Sequence, residues 1–238
     1  MKKTDLNYCK TVARQLLYLD PIETDVDIIV CHPYINSRIM YLPKDKTYTP
    51  LDIFKDDNLD KIRNKFSEII NDSKSLAELF MFINKPWKAF YFKMINRDLS
   101  EKDFNDYLSY VWIESENPNQ DPNVSIPLWI SFFNRANKEL LMSEEDKKVY
   151  DSLPKDDKIL IYRGVGKGRE PYGLSWTQNV NTAKWFARRW NNPDAYMFKA
   201  YCYKKDVLAY FNDRKEDELV VNVGNIFDEE KVDLYGEY

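Results

Sequence analysis

The chain has 238 residues, of which 44% are hydrophobic, and a formal net charge of −4. This length and apolar content predict a globular protein with one hydrophobic core or two small ones. The net negative charge excludes a general electrostatic attraction to nucleic acid or to an anionic membrane, so that either partner would require a local basic patch.

Cysteine usage and hydropathy indicate the cellular compartment and exclude several kinds of site. The three cysteines are odd in number and have no CxxC spacing, so neither a disulfide framework nor a zinc site is indicated, and we expect no metal. The segment MKKTDLNYCK lacks the apolar core of a signal peptide, and no apolar run approaches the length of a membrane span. We therefore expect a cytoplasmic protein, in a bacterium or a phage-infected host cell, with no membrane partner.

The first 150 residues show mainly helical periodicity. Helical stripes are predicted from apolar spacing at Leu6, Cys9, Ala13, Leu16 and Leu17; Leu59, Ile62, Phe66, Ile69 and Ile70; Leu76, Leu79, Phe80 and Ile83; and Trp87, Phe90, Tyr91 and Met94. The exception is VDIIVCHPYI (26–35), a short strand or extended segment in which His32, the single histidine, is interpreted as a structural residue beside Pro33.

Three more helices are predicted before residue 154. Ser100 is the expected N-cap of a helix over 99–112, one helix is expected over 126–141, and Ser143 is the expected N-cap of a helix over 143–153. NPNQDPN (117–123) is typical of a turn.

After Lys158 the apolar period changes from about 3.6 to about 2 residues. Strands are predicted at KILIYRGV (158–165), 195–203, 218–224 and 231–237, and a helix over 181–190 with Ala183, Phe186, Ala187 and Trp190 on its core face. The predicted class is α+β, in which a mainly helical N-terminal region (1–142) of unknown role packs on a C-terminal domain (143–238).

Two segments of this C-terminal part carry side chains suited to an anionic ligand. Arg163 is expected at a strand end, where its guanidinium could bind phosphate oxygens, and Gly164 would let a ligand approach the backbone. In GLSWT (173–177), Ser175 and Thr177 share one strand face, and Trp176 lies on the other. The alternatives are a surface ion pair for Arg163 and a solvated edge strand for the two hydroxyls.

A third segment carries paired carboxylates. If a strand begins at Glu218, Glu216 and Glu218 share a face and form a candidate acid/base pair; the alternative is a solvated charge run. Tyr210 and Phe211 precede the apparent turn FNDRK, where they would be exposed to a partner or would pack beneath the loop.

The order of these parts resembles the arginine-serine-glutamate class of mono-ADP-ribosyltransferases, a toxin- and phage-type class, over residues 143–238. The resemblance implies a mixed β-sandwich ADP-ribosyltransferase fold and NAD as the substrate. Arg163 would hold the NAD phosphates or ribose, and the Gly164 backbone would meet the nicotinamide amide. Phe186 belongs to the cofactor-binding set with Trp176 and Thr177, which replace the threonine and second serine of the family motif Ser-Thr-Ser.

The resemblance also implies the catalytic roles. Ser175 would orient Glu218, the catalytic glutamate, and Glu216 would be the upstream acid typical of enzymes that modify arginine. Tyr210 and Phe211 would recognise the acceptor. The expected activity is transfer of ADP-ribose from NAD to a macromolecule, with protein arginine favoured and nucleic acid left open by the basic residues of 158–204.

Two other functions remain open at this stage. The same site would hydrolyse NAD if water trapped the ribosyl cation. Alternatively, the chain is an inactive transferase-fold module that binds or inhibits a partner. A serine hydrolase is discounted because no G-x-S-x-G motif exists, and a P-loop because GVGKGRE has neither the required lysine-serine/threonine pair nor a following helix.

Overall fold

The computed structural model describes residues 2–43, 46, 48–189, 195–232 and 234. Their contacts divide the chain into two compact units, Met1–Asp103 and Phe104–Tyr238. Helices and antiparallel strands together make the chain α+β, as predicted. The unit that contains the large sheet begins at Phe104, so the helices between residues 104 and 152 belong to the same unit as the predicted C-terminal domain.

The first unit consists of helices and very short strands. Its elements are α1 (Leu6–Leu17), β1 (Ile22–Glu23), β2 (Val30–Cys31), β3 (Ile39–Met40), β4 (Leu51–Asp52), α2 (Asn58–Asp72), α3 (Leu76–Phe82) and α4 (Lys88–Ile95). The stripes predicted for α1, α2 and α3 lie in the core almost as expected. In α4 the stripe is shifted, because Ala89, Tyr91, Phe92 and Ile95 are buried while Met94 is exposed.

His32 is a structural residue of this unit, as predicted. Its side chain is 2% exposed, and Nδ1 accepts hydrogen bonds from the backbone N–H groups of Tyr34 (3.0 Å) and Ile35 (3.1 Å). Nε2 lies 3.2 Å from the carbonyl of Leu17 and 3.1 Å from that of Leu19. Because carbonyls only accept, the proton must sit on Nε2. Burial lowers the pKa of His32 to about 4, so the ring is neutral at neutral pH.

The helices before the large sheet are α5 (Glu101–Glu114), α6 (Ile126–Arg135), α7 (Lys138–Leu141) and α8 (Glu144–Ser152). The two predicted serine caps are confirmed, since Ser100 accepts from the Asp103 N–H and Ser143 from the Asp146 N–H, both at 3.1 Å. The prediction of one helix over 126–141 is wrong. The chain becomes extended at Ala136 and Asn137, and the Asn137 side chain caps α7 instead.

The second unit is built on a six-stranded sheet. Its strands are β5 (Ile159–Val165), β6 (Ser175–Thr177), β7 (Tyr196–Cys202), β8 (Val207–Phe211), β9 (Glu218–Val221) and β10 (Phe227–Val232), in the order β10-β7-β5-β6-β9-β8. Every pairing in this sheet is antiparallel, whereas a mixed sandwich was expected. The pairing between β5 and β6 consists of Tyr162 opposite Thr177, so the three strands β10-β7-β5 and the three strands β6-β9-β8 are joined through that one pair.

Helix α9 (Val180–Arg188) packs directly on β5, and Gly164 makes this possible. A Cβ atom at residue 164 would overlap the Ala183 carbonyl oxygen and come within 2.6 Å of the Ala187 nitrogen. Both alanines are buried, as predicted for the core face of this helix. The glycine is therefore required for the close approach of helix and strand, a reason different from the ligand approach that the sequence suggested.

The last strands differ from the predictions in two ways. The segment 207–211 is a strand, β8, and its residues are buried, so of the two positions left open for Tyr210 and Phe211 the exposed one is wrong. The predicted strand over 231–237 corresponds to β10, which begins earlier, at Phe227. Trp190, assigned to the core face of α9, and residues 233 and 235–237 lie outside the described residues. Among the described residues, no helix has the length and apolar character needed to cross a bilayer.

Candidate functional site

A cavity of about 430 Å³ lies in the second unit, beside the Tyr162–Thr177 pair that joins β5 to β6. This volume is in the range of small-molecule sites. Its walls include the end of β5, strand β6, the start of β9, helix α9 and the turn 116–119. The predicted residues Arg163, Ser175, Thr177, Glu216 and Glu218 all line it.

The charged lining of the cavity is predominantly cationic. Five basic side chains line it: Arg163, Lys167, Arg169, Arg189 and Arg214. Three carboxylates line it: Glu116, Glu216 and Glu218. The difference, five minus three, gives the lining a formal charge of +2 when every group is ionised. A cavity of this kind favours an anionic ligand with a small number of negative charges.

Glu218 is the buried carboxylate of the cavity. It opens strand β9, as predicted, opposite Thr177 of β6, and is 7% exposed. The indole N–H of Trp112 donates to both of its carboxylate oxygens at 3.3 Å. Burial raises the pKa of Glu218, while a hydrogen bond from Ser175, the positive charge of Arg214 and the Trp112 N–H lower it. The site thus holds a carboxylate of raised basicity among fixed donors.

Ser175 is held from the opposite side by Asn119. The Asn119 amide donates to the Ser175 hydroxyl at 3.1 Å and accepts the Leu174 N–H at 2.5 Å. With its oxygen accepting from Asn119, the Ser175 hydroxyl is left to donate to Glu218. A directed chain of hydrogen bonds therefore runs from Asn119 through Ser175 to the carboxylate; the orienting role expected for Ser175 stays a prediction.

Arg163 is 9% exposed, and its guanidinium is bound mainly to backbone carbonyls. Nε donates to Pro171 at 3.0 Å, Nη2 to Glu170 at 2.7 Å and Nη1 to Ser175 at 2.7 Å. A guanidinium has five N–H groups, so two remain for a ligand. Burial lowers the pKa of Arg163 to about 10, which still leaves it cationic at neutral pH.

The contacts of Arg163 also explain why residue 173, the first of GLSWT, is a glycine. A Cβ at residue 173 would come within 2.7 Å of Asn119 Cγ and would overlap the Arg163 guanidinium. Only glycine leaves room for both side chains here. Arg163 therefore fixes the loop 166–175 that leads into Ser175, and the phosphate contact that the sequence suggested stays a prediction.

Glu216 lies in a turn with unusual backbone angles. Lys215 and Asp217, which flank it, have φ values of 59° and 49°, in the left-handed region that non-glycine residues rarely occupy. The Glu216 carboxylate is paired with Arg214 at 3.1 Å, and its side chain is 19% exposed. Both groups line the cavity. Strain of this kind is common at functional sites, and here the strained residues flank a carboxylate that lines the same cavity as Glu218.

The remaining predicted residues divide into two groups. Gly164, Phe186 and Trp176 line the cavity, although Trp176 is 2% exposed and its indole N–H is bound to the Gly173 carbonyl at 2.9 Å. Tyr210 and Phe211 do not line it. They are 6% and 3% exposed, because β8 is covered on both faces, so they cannot act as exposed aromatic contacts for an acceptor.

The fixed contacts of these two aromatic residues show what they do instead. The Tyr210 hydroxyl donates to Asp217 at 2.9 Å, and Phe211 packs 6.4 Å from Phe133. Tyr210 thus braces the strained turn that presents Glu216, and Phe211 belongs to the core.

Three residues of the site were missed by sequence reasoning: Trp112, Asn119 and Arg214. Trp112 ends the helix predicted over 99–112, and Asn119 lies in the turn predicted over 117–123; both predictions are correct locally. Neither pattern indicates a partner more than 50 positions away in the chain. Arg214 belongs to the predicted turn FNDRK. Its position two residues before Glu216 is the only sequence feature that indicates the two side chains could point the same way.

Comparisons of the chain with models of protein families, with curated proteins and with solved structures gave no match. The geometry of the cavity is therefore the basis on which its function is inferred.

Proposed function

We propose that this protein is an NAD-dependent mono-ADP-ribosyltransferase that releases nicotinamide and transfers ADP-ribose to a macromolecular acceptor. The observation that carries the proposal is the convergence of Arg163, Ser175 and Glu218 on one cavity, with the Glu218 carboxylate buried and bound by fixed donors. A β-sandwich ADP-ribosyltransferase fold for the second unit is part of the proposal. Its support is the single pair that joins two groups of three strands, with the cavity beside that pair.

The charge of the cavity supports a dinucleotide as the ligand. A pyrophosphate carries two negative charges, and the lining has a formal charge of +2. Arg163 has two unused N–H groups at the cavity wall, and Lys167, Arg169 and Arg189 add further cations. Guanidinium groups bind phosphate oxygens by charge-assisted, often bidentate hydrogen bonds.

The proposed reaction begins with cleavage of the bond between ribose C1′ and the nicotinamide nitrogen. The bonding electron pair leaves with nicotinamide, and positive charge develops on the ribose, as in glycoside hydrolysis. A fixed carboxylate at Glu218 stabilises that charge, by about 3 kcal/mol for one preorganised group. The acceptor nucleophile then forms the bond to C1′ and loses a proton.

Glu216 is the proposed base for that last proton. A guanidinium acceptor has a pKa above about 12 and is a poor nucleophile until it is deprotonated. Glu216 shares the cavity with Glu218 and already binds one guanidinium, that of Arg214. A carboxylate that binds an arginine side chain at 3.1 Å has the chemistry needed to receive another in its place.

The test uses NAD labelled in its adenylate part, incubated with the protein with and without a cell lysate. Label that becomes bound to macromolecules only in the presence of active protein supports the proposal. Mass spectrometry of the labelled protein and nucleic acid fractions identifies the acceptor. Failure of NAD to raise the melting temperature at saturating concentration would overturn it, since a ligand at 100 times its Kd adds about 2.7 kcal/mol of stability.

A second function, hydrolysis of NAD to ADP-ribose and nicotinamide, is favoured by one observation. The Glu216 carboxylate is engaged by Arg214, so an acceptor guanidinium must displace an existing ion pair. Water needs no such base and requires only Glu218. Release of free ADP-ribose at the same rate with and without lysate would identify hydrolysis as the activity.

A further inference from the structure

Trp112 is the donor that meets the Glu218 carboxylate from helix α5. Its Nε1 lies 3.3 Å from Oε1 and 3.3 Å from Oε2, so one N–H is shared between the two oxygens. Trp112 itself is fully buried, and Glu218 is 7% exposed. A shared donor of this kind keeps both carboxylate oxygens directed at the indole N–H.

The indole ring cannot easily turn away from this position. Trp129 packs edge-on against it with ring centroids 5.2 Å apart and an angle of 84°, and Phe133 does so at 5.1 Å and 83°. Tight packing of this kind holds a side chain in a single rotamer. The hydrogen bond to Glu218 is therefore built into the core of the unit and does not depend on a flexible surface group.

The other charged groups that face Glu218 are Arg163, Arg214 and Glu216. The two arginines favour a charged carboxylate, and Glu216 disfavours it. Burial also disfavours it, and this is the largest influence. A hydrogen bond to the charged form acts against burial, so the Trp112 N–H stabilises the form of Glu218 that the proposed reaction requires.

We propose that Trp112 is a positioning residue for Glu218: its indole N–H holds the two carboxylate oxygens in place at the cavity wall and favours their charged form. The catalytic role of Trp112 rests on the proposed function, but its hydrogen bond to Glu218 does not depend on NAD. Helix α5, which precedes the sheet, thus contributes a side chain that positions Glu218.

The first test is made on the free wild-type protein by NMR. The indole N–H resonance of Trp112, identified by its loss in Trp112→Phe, is followed between pH 4 and pH 9. We expect it to move with a single midpoint above the ordinary glutamate value and to lose this movement in Glu218→Gln. A resonance that does not respond to pH, or responds equally in Glu218→Gln, overturns the proposal.

The second test compares two identical substitutions in the same cluster. Trp129 is also fully buried, and its indole N–H donates to a neutral group, the Pro118 carbonyl, at 3.0 Å. Trp112→Phe should raise the pH midpoint of nicotinamide release by about one unit, equivalent to a tenfold weaker acid, while Trp129→Phe, which keeps an aromatic ring against Trp112, should move the midpoint by less. Equal midpoints in Trp112→Phe and wild type overturn the proposal.

The two tests also separate this proposal from the proposed function. If wild-type protein releases no nicotinamide at any pH, the proposed function fails, and the NMR titration still decides whether Trp112 holds Glu218. If Trp112→Phe does not fold, the titration in wild type and Glu218→Gln decides alone.

Discussion

The Asn119 side chain joins two neighbouring residues of the cavity: its Nδ2 donates to the Ser175 hydroxyl at 3.1 Å, while its Oδ1 accepts the Leu174 N–H at 2.5 Å. The first bond fixes the direction of the Ser175 proton, and the second fixes the backbone just before it. Asn119 therefore acts on Glu218 through Ser175.

Replacing Asn119 by aspartate separates these two functions. Asn119→Asp keeps an acceptor for the Leu174 N–H but loses the donor to Ser175, so that Ser175 can turn its proton toward the new carboxylate and away from Glu218. We expect about a tenfold loss in the rate of nicotinamide release, as for one hydrogen bond of about 1.4 kcal/mol. The melting temperature should change little, and Ser175→Ala should lose no further activity in this background. Additive losses in the double variant would contradict the chain of hydrogen bonds.

The two glutamates should separate transfer from hydrolysis. Glu218→Gln keeps the shape of the side chain but removes the charge that faces the ribosyl cation, so we expect both activities to fall by about 100-fold or more. Glu216→Gln should lose transfer to arginine and retain hydrolysis and NAD affinity, because water needs less activation than a guanidinium. Rates of nicotinamide release and of label transfer measure the two activities. Hydrolysis lost in Glu216→Gln and kept in Glu218→Gln would reverse the proposed roles.

Arg163 should affect both the loop and the ligand. Arg163→Ala removes the hydrogen bonds to three carbonyls, those of Glu170, Pro171 and Ser175, together with the cation at the cavity wall. We expect weaker NAD binding and a lower melting temperature even without NAD. Arg163→Lys should recover little of either, because one ammonium group cannot reach three separated carbonyls as the planar guanidinium does. Calorimetric titration with NAD and thermal unfolding of the apo protein measure the two effects; equal NAD affinity in wild type and Arg163→Ala would contradict the phosphate role.

Local chemistry predicted much of the fold. Serine followed by acidic residues marked the starts of α5 and α8, and the change from a 3.6-residue to a 2-residue period marked the entry into the sheet at β5. The start of β9 at Glu218 followed from a charged run that meets an apolar one. These signals depend on neighbouring residues only, which is why a single sequence reveals them.

The errors have a physical cause as well. Both faces of β8 are covered, so VLAYF does not alternate between apolar and polar residues, and the turn signals of FNDRK suggested that Tyr210 and Phe211 were already in the turn. The hydrogen bonds of Trp112 and Asn119 to the site could not be predicted for another reason. The bond between Trp112 and Glu218 spans 106 positions, and that between Asn119 and Ser175 spans 56; no local pattern encodes such pairings.

His32 should make part of the first unit sensitive to acid. Its pKa is about 4 in the folded protein, because of burial, against 6.5 for the free side chain. Since the folded pKa is the lower one, the unfolded state takes up the proton first as the pH falls. The stabilisation is therefore complete above about pH 6.5 and is lost progressively down to about pH 4, to an extent of at most about 3 kcal/mol for 2.5 pKa units.

The local measurement is hydrogen exchange at the amides of Tyr34 and Ile35, which donate to His32 Nδ1. A protonated ring cannot accept these bonds, so their protection factors should fall as the pH drops from 6.5 to 4, by at most about 300-fold. His32→Asn provides the control, because its side-chain oxygen can accept both amides and does not titrate. Its protection factors should be independent of pH over this window. Constant protection in the wild-type protein would show that His32 does not limit the stability of this segment.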